Sequence, residues 1–292
     1  MSFFRYPGGK SKLKNIISSH LNVYSNVEYR EPFFGGGGVG MQFISDNPSI
    51  TNIWINDKDI GVSNLWTAVL RYPEALKEKV MQFVPSVDKF DTYKAELLSN
   101  SIYPTNKDDL IENGFKKLAI HQISYSGLGT KSGGPLGGRK QSSKYKIDCR
   151  WSPNYICKKI DKIHQQLSSL NLKDNICTNL DFLDLINNSG KALLYLDPPY
   201  YVKGNDLYQC GFTEIDHKRL ATALRKTDHY WILSYDDCEF IRSLYQDWAI
   251  IDSVDVNYSI TATKDSNSGK RLSTKKPELL IYPEKHLCIC QK

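Results

Sequence analysis

The nine residues Leu193–Tyr201, LLYLDPPYY, combine a buried-strand pattern with side chains that could do chemistry. An apolar run of this kind reads as a buried strand, and proline ends it because its ring removes the donor that a ladder needs. Asp197 therefore stands at the exposed end of a buried element, followed by Pro198, Pro199, Tyr200 and Tyr201. In an open α/β sheet that end is where ligands bind. A carboxylate beside the carbonyl of Pro198, whose direction is restricted because Pro199 follows, offers two acceptors to one planar amine. The exocyclic amine of adenine fits this description. It is a poor nucleophile because its lone pair is delocalised into the ring, and acceptors for its two hydrogens favour the geometry from which it can attack an electrophilic methyl. Tyr200 adds an aromatic face for an extruded base. The competing reading is a capped turn with packed tyrosines.

A second set of candidates lies upstream. In EPFFGGGGVG, Glu31 to Gly40, the glycines at 35, 37 and 40 satisfy G-x-G-x-x-G. Asp57 follows about 20 residues later, as the dinucleotide fingerprint requires. Glycine lets the backbone turn sharply and approach a ligand closely. An acid at the end of the next strand can accept from both hydroxyls of a ribose. Two cofactors meet this description. A pyrophosphate calls for helix N-terminal amides and little nearby negative charge. S-adenosyl-L-methionine carries an ammonium and a sulfonium beside its carboxylate, and Glu31 at the mouth of the loop tilts the reading towards it.

These residues need elements to position them. NVEYREPF reads as a strand broken at Pro32, VGMQFI as a helix and ITNIWIND as a second strand ending at Asp57. Strand, glycine loop, helix, strand and acid in this order open a doubly wound sheet. Ser11–Leu21 has helical spacing, and the pattern is again helical from about Gly61 to Tyr125. Gly127–Trp151 is glycine-rich and basic, reads as a surface loop or hairpin unable to bury itself, and precedes a helix over Pro153–Leu170. Strand and helix alternation then resumes through KALLYLDPPY, DHKRLATALRK, YWILSYDD, WAIIDSVDVNYSI and PELLIYP. The simplest division is a discontinuous catalytic domain, 1–70 and 171–292, interrupted by an insert over 71–170.

The insert is where charge concentrates. Lys131, Arg139, Lys140, Lys144, Lys146 and Arg150 occupy a stretch whose only acid is Asp148. Such residues neutralise phosphates, while sequence is read by a few side chains at base edges. Arg139 is a candidate for guanine and Gln141 for adenine. The formal charge of +6 suits a polyanionic partner without proving one. The seven cysteines contain no CxxC, the six histidines show no metal spacing, and no apolar run approaches a membrane span. The expectation is a cytoplasmic protein with reduced thiols and no metal.

Together the motifs resemble those of the Dam-type DNA N6-adenine methyltransferases. YPGGK, Tyr6 to Lys10, is similar to that family's aromatic-x-GGK motif, EPFFGGGG to its glycine loop and NDKD to its acidic ribose motif. LDFLDLI resembles its D-F motif, LDPPYY its catalytic motif, and ILSYDD the strand walling its target-base pocket. The likeness runs over nearly the whole chain. It implies an α/β, Rossmann-like methyltransferase sheet with an inserted, mainly helical DNA-recognition domain. It also implies that Tyr6, Lys10, Asp57 and Asp197 contact S-adenosyl-L-methionine, with Phe33, Gly35 and Gly37 shaping the pocket and Asp181 and Phe182 at its adenine. The catalytic set is Asp197, Pro198, Pro199 and Tyr200. The implied activity is methyl transfer to adenine N6 in a specific sequence of double-stranded DNA, with the base flipped out. The basic segment lacks the Arg-Tyr-Asn core of the Dam recognition loop, so a GATC target is not implied. The protein partner is left open, a monomer being one expectation. Cytosine N4, an adenine in RNA, a catalytically silent DNA-binding relative and an NAD-dependent oxidoreductase are the alternatives; the last leaves DPPY and the basic insert unexplained.

Overall fold

The computed structural model describes residues 3, 4, 10, 17, 27–99, 104–202, 209–264 and 271–284, with only the backbone at 256–264 and 271–276. Tyr6, His20, His286, Cys288, Cys290 and the expected helix over Ser11–Leu21, apart from Ile17, lie outside these residues.

The described strands form one seven-stranded sheet in the order β3-β2-β1-β4-β5-β7-β6. They are β1 (Glu28–Glu31), β2 (Asn52–Ile55), β3 (Asn171–Leu172), β4 (Ala192–Leu196), β5 (Tyr230–Asp236), β6 (Ala249–Lys264) and β7 (Arg271–Pro283). β1 to β5 are parallel, and β7 runs antiparallel to both β5 and β6. All five residues of β4 are buried, which is why its sequence is continuously apolar rather than alternating. From β1 the chain winds outward through β2 to β3, then returns to β4 on the other side of β1. The winding direction reverses between β1 and β4, the place in such sheets where a crevice opens above the carboxyl ends of the strands.

Helices cover the sheet. α1 (Gly40–Asp46), α2 (Ile60–Arg71), α3 (Pro73–Gln82), α4 (Val87–Ser99), α5 (Lys107–Ile123) and α6 (Pro153–Ser168) precede β3. α7 (Phe182–Ile186), α8 (Glu214–Lys226) and α9 (Glu239–Tyr245) follow. Local chemistry starts them. Asp59 caps α2 through the amides of Gly61 and Val62, and Asn106 caps α5. Reciprocal capping pairs, Asp181 with Asp184 and Thr213 with Asp216, open α7 and α8. Pro73 and Pro153 occupy first-turn positions, where a missing N–H costs nothing.

One hydrophobic core runs from Tyr29, Phe43 and Ile53 of the sheet layer into Phe83, Phe115 and Trp151 of the 71–170 segment. The glycine-rich stretch 127–151 is irregular, yet it is anchored. Trp151 packs edge-on against Phe83 at 4.8 Å, Ile147 is buried, and a β-bridge joins Ser124 to Pro135. Its apolar anchors lie at its carboxyl end, too widely spaced to register as periodicity.

Candidate active site

The crevice at the β1/β4 reversal contains a cavity of about 200 Å³. Among its lining residues are Lys10, Glu31, Phe33, Gly35, Asp57, Asp181, Phe182 and Asp197, as well as Pro199. Residues from five separate parts of the chain therefore meet in one place. Of the catalytic candidates Pro198 and Tyr200 are not in the lining, and neither is Gly37 of the glycine loop. Gly37 has φ +64°, and a Cβ there would stand 2.6 Å from the Trp66 ring, so this glycine shapes the loop from behind.

Each acid is held differently. Glu31 ends β1, is buried, and accepts from the Tyr29 hydroxyl at 2.6 Å. A Cβ at Gly40 would lie 2.2 Å from its carboxylate, so the absence of a side chain at 40 makes room for Glu31. Burial pushes the Glu31 carboxyl well above the usual range, opposed by the Tyr29 hydrogen bond. Asp57 accepts from the amide of Gly35 at 2.7 Å and from that of Asp59 at 2.9 Å. Burial first, and the charge of Asp59 second, push it up to about 7. Asp181 caps α7 through the Leu183 amide at 3.0 Å and faces Arg219 at 3.2 Å. Beside it, Phe33, Phe182 and Phe212 form a three-ring cluster with centroids 5.4 to 5.7 Å apart.

Asp197 follows β4 directly. Its Oδ1 lies 2.7 Å from the Lys10 ammonium and accepts from the Ser234 hydroxyl at 3.0 Å. The Lys10 ammonium is also 3.7 Å from Glu278 on β7 and sits 4.3 Å above the centre of the Tyr200 ring. The Tyr200 hydroxyl donates to Glu278 at 2.8 Å. Burial raises the Glu278 carboxyl, with Lys10 opposing. Pro198 is buried, while Tyr201 stacks on Phe240 at 4.4 Å. The amides of Tyr201 and Val202 donate to Asp236 at 3.1 and 2.9 Å, which ties the DPPY turn to the end of β5. His217 lies on α8 beneath this turn, buried and 2.6 Å from the Tyr235 hydroxyl; burial lowers its pKa to about 4, so it stays neutral.

The basic segment lies apart from the cavity lining. Arg139 is exposed and forms a bidentate pair with Asp91 of α4, at 2.8 and 2.9 Å. Gln141, in a left-handed conformation at φ +48°, donates to the carbonyls of Leu136 and Gly138 and accepts from the Ile147 amide. Its amide group therefore closes the loop. Lys146 donates to the Gln141 carbonyl, and Lys131, Lys140, Lys144 and Arg150 are exposed.

Comparison with known proteins settles the family. The description of the D12 class N6 adenine-specific DNA methyltransferases matches residues 6–260. The chain belongs to this family. No curated protein sequence matches it. The methyltransferase transfers a methyl group from S-adenosyl-L-methionine to adenine N6 in DNA. The cavity suits that methyl donor: carboxylates for a cationic ligand with a ribose, and a cluster of phenylalanines for its aromatic base.

Several residues at the site are not sequence candidates in their own right, although Asn56 and Ser234 fall inside the NDKD and ILSYDD motifs. Ser234, Glu278, Asn56, Lys117 and Phe212 all border the methyltransferase cavity or its acids. Glu278 is the lone acid in the apolar run PELLIYP, and Lys117 the lysine on the buried face of α5. A charge on an apolar face is the signal that could have found both. Among the described residues no group of His, Cys, Asp and Glu could hold a metal, and no helix is long and apolar enough to cross a membrane.

Proposed function

We propose that Asp197 and the Pro198 carbonyl accept the two hydrogens of the target amine, with Pro199 restricting the carbonyl's direction and Tyr200 offering its ring to the flipped base. Glu31, Phe33, Gly35, Gly37, Asp57, Asp181 and Phe182, with Tyr6 and Lys10, hold the methyl donor. The bound cofactor supplies the electrophilic methyl. The chain's part is to position the amine, draw it towards tetrahedral geometry, and accept its hydrogens through fixed oxygens. The observation that carries this reading is the shared cavity: Asp197 and the glycine loop line one space, although more than 150 residues of sequence separate them.

Residues 71–170 form the target-recognition segment in this reading, with Lys131, Lys140, Lys144, Lys146 and Arg150 on phosphates of duplex DNA and Arg139 at a base edge once it leaves Asp91. The pairing of Arg139 with Asp91 supports this assignment, because a phosphate or guanine can take over from an exposed carboxylate at little cost. Gln141 serves as a strut of the loop, its amide being engaged internally. A monomer acting in the cytoplasm of a bacterial or phage-infected cell completes the proposal.

Incubation with labelled cofactor and sequence-diverse duplex DNA, followed by digestion to nucleosides, is expected to yield N6-methyladenine. Label confined to cytosine or to RNA would overturn the reading. Asp197→Ala is expected to lower turnover by about 10²-fold or more while DNA binding persists.

A further inference from the structure

Behind Asp59, one of the acids lining the cavity, stands a cation contributed by the 71–170 segment. Lys117 of α5 is 2 % exposed, forms an ion pair with Asp59, and donates to Oε1 of Gln209 at 3.0 Å. Its approach is built into the helix crossing. A Cβ at Gly114 would stand 2.7 Å from the backbone of Leu65 in α2, and one at Gly61 would stand 2.9 Å from Cδ of Lys117. These glycines let α5 press against α2 and let the lysine stem run along the first turn of α2.

At the end of that stem, two acids are joined by one amide. Asp59 Oδ1 accepts from Gly61 and Val62 at 3.0 and 3.3 Å, leaving Oδ2 for the ammonium. The Asp59 amide donates to Asp57 Oδ1 at 2.9 Å, and Asp57 Oδ2 takes the Gly35 amide at 2.7 Å. A capping acid needs no buried lysine, because the helix N-terminus already favours its charge. Burying an ammonium is costly unless a carboxylate requires it. What requires it here is the second acid: without Lys117, two carboxylates would share a desolvated wall with only backbone amides to offset them.

We propose that Lys117 is a positioning residue for the methyl donor: by holding Asp59 as an ion pair, it leaves neighbouring Asp57 available to accept from the cofactor's ribose hydroxyls. The inference rests on the assignment of Asp57 given above. Asp57 is pushed up to about 7, chiefly by burial and then by Asp59, while the backbone amides and Lys117 act in the opposite direction. The other titratable groups around this wall are Glu31, Lys58, Asp181, Tyr195, Asp216, Cys177 and Cys210, while Lys10 is engaged with Asp197. Lys117 alone of the cations among these described residues is paired to Asp59. Gln209 extends the same cluster to Thr130, whose hydroxyl donates at 3.1 Å, and to the Leu97 carbonyl at 2.8 Å. The 71–170 segment thus contributes charge to the cofactor wall as well as its own basic surface.

The sign follows from which form binds. Ionised Asp57 accepts from the ribose, so affinity falls as pH drops through its pKa. Removing Lys117 raises that pKa, and removing the Asp59 charge lowers it. Calorimetric titration of the full chain with S-adenosylhomocysteine between about pH 5.5 and about 8.5 tests this. Wild type is expected to lose affinity as pH falls through about 7. Lys117→Met should move the midpoint up by roughly one unit, Asp59→Asn should move it down, and Lys117→Arg should stay close to wild type. Carboxyl-carbon NMR of the cofactor-free protein should show the same opposed shifts. Loss of packing alone would not move two midpoints in opposite directions. An unmoved midpoint in Lys117→Met overturns the inference; if that variant does not fold, an unmoved midpoint in Asp59→Asn does so. Asp57→Asn separates the two levels. Wild-type affinity there sinks the assignment of Asp57 itself, whereas weak binding there with unmoved midpoints elsewhere sinks only the role of Lys117.

Discussion

Lys10 places one ammonium between two carboxylates, 2.7 Å from Asp197 and 3.7 Å from Glu278, with the Tyr200 ring beneath it. That geometry divides its charge between an acid at the end of β4 and a buried acid on β7. The division matters for Asp197, because an acceptor fully committed to an ammonium is a poorer acceptor for an incoming amine. Glu278→Gln retains an oxygen for the Tyr200 hydroxyl but removes the competing charge. Lys10 should then be drawn more closely to Asp197. The expected result is a kcat reduced by about 10-fold, near 1.4 kcal/mol, with cofactor and DNA dissociation constants little changed. Single-turnover kinetics beside equilibrium binding check it. Tyr200→Phe, which deletes only the hydroxyl, should have the smaller effect.

At the scale of elements, caps and close crossings decide where the site residues stand. Asp59 starts α2 and Asp181 starts α7, so residues that line the cavity also define where helices begin. The α2–α5 crossing depends on Gly114, whose added Cβ would meet Leu65 backbone rather than a side chain able to move. Gly114→Ala is therefore expected to destabilise the protein by about 1–3 kcal/mol, read as a lower urea midpoint with unchanged slope. The strands and long helices were legible from periodicity: NIWI, ALLYL and YWILSYD are strands, and the Pro153 helix begins at its proline. α9 was not anticipated. It is a helix of seven residues, too short for periodicity to stand out, and its position is set by packing of Ile241 and Tyr245 against the β5 side of the sheet.

For the whole molecule, the excess positive charge and its concentration on 131–150 bear on how DNA is met. Exposed lysines on phosphates release counterions, so each contributes to the salt dependence of affinity. Lys140→Ala and Lys144→Ala are each expected to lower the slope of log affinity against log salt by about 0.9, with little change in sequence preference. Fluorescence anisotropy on duplex DNA across a salt series measures it. Gln141 marks the limit of reading bases from sequence. A glutamine in a basic loop suits an adenine edge, but its amide can equally close a turn, and only the folded loop distinguishes the two uses.

The local order of motifs settled much of what the chain is. LDPPYY after an apolar run, a glycine loop after a strand, and an acid after the next strand are short-range patterns, and short-range sterics and hydrogen bonding are written in neighbouring residues. The family and its chemistry were readable at that level. What brought Glu31, Asp57, Asp181 and Asp197 around one cavity is the strand order, with its reversal between β1 and β4. The side chains around them came from other elements: Lys117 of α5 pairs with Asp59, Ser234 of β5 donates to Asp197, and Glu278 of β7 accepts from Tyr200. A desolvated charge takes whichever counter-charge the packed chain brings near, and that depends on the assembled core rather than on distance along the sequence.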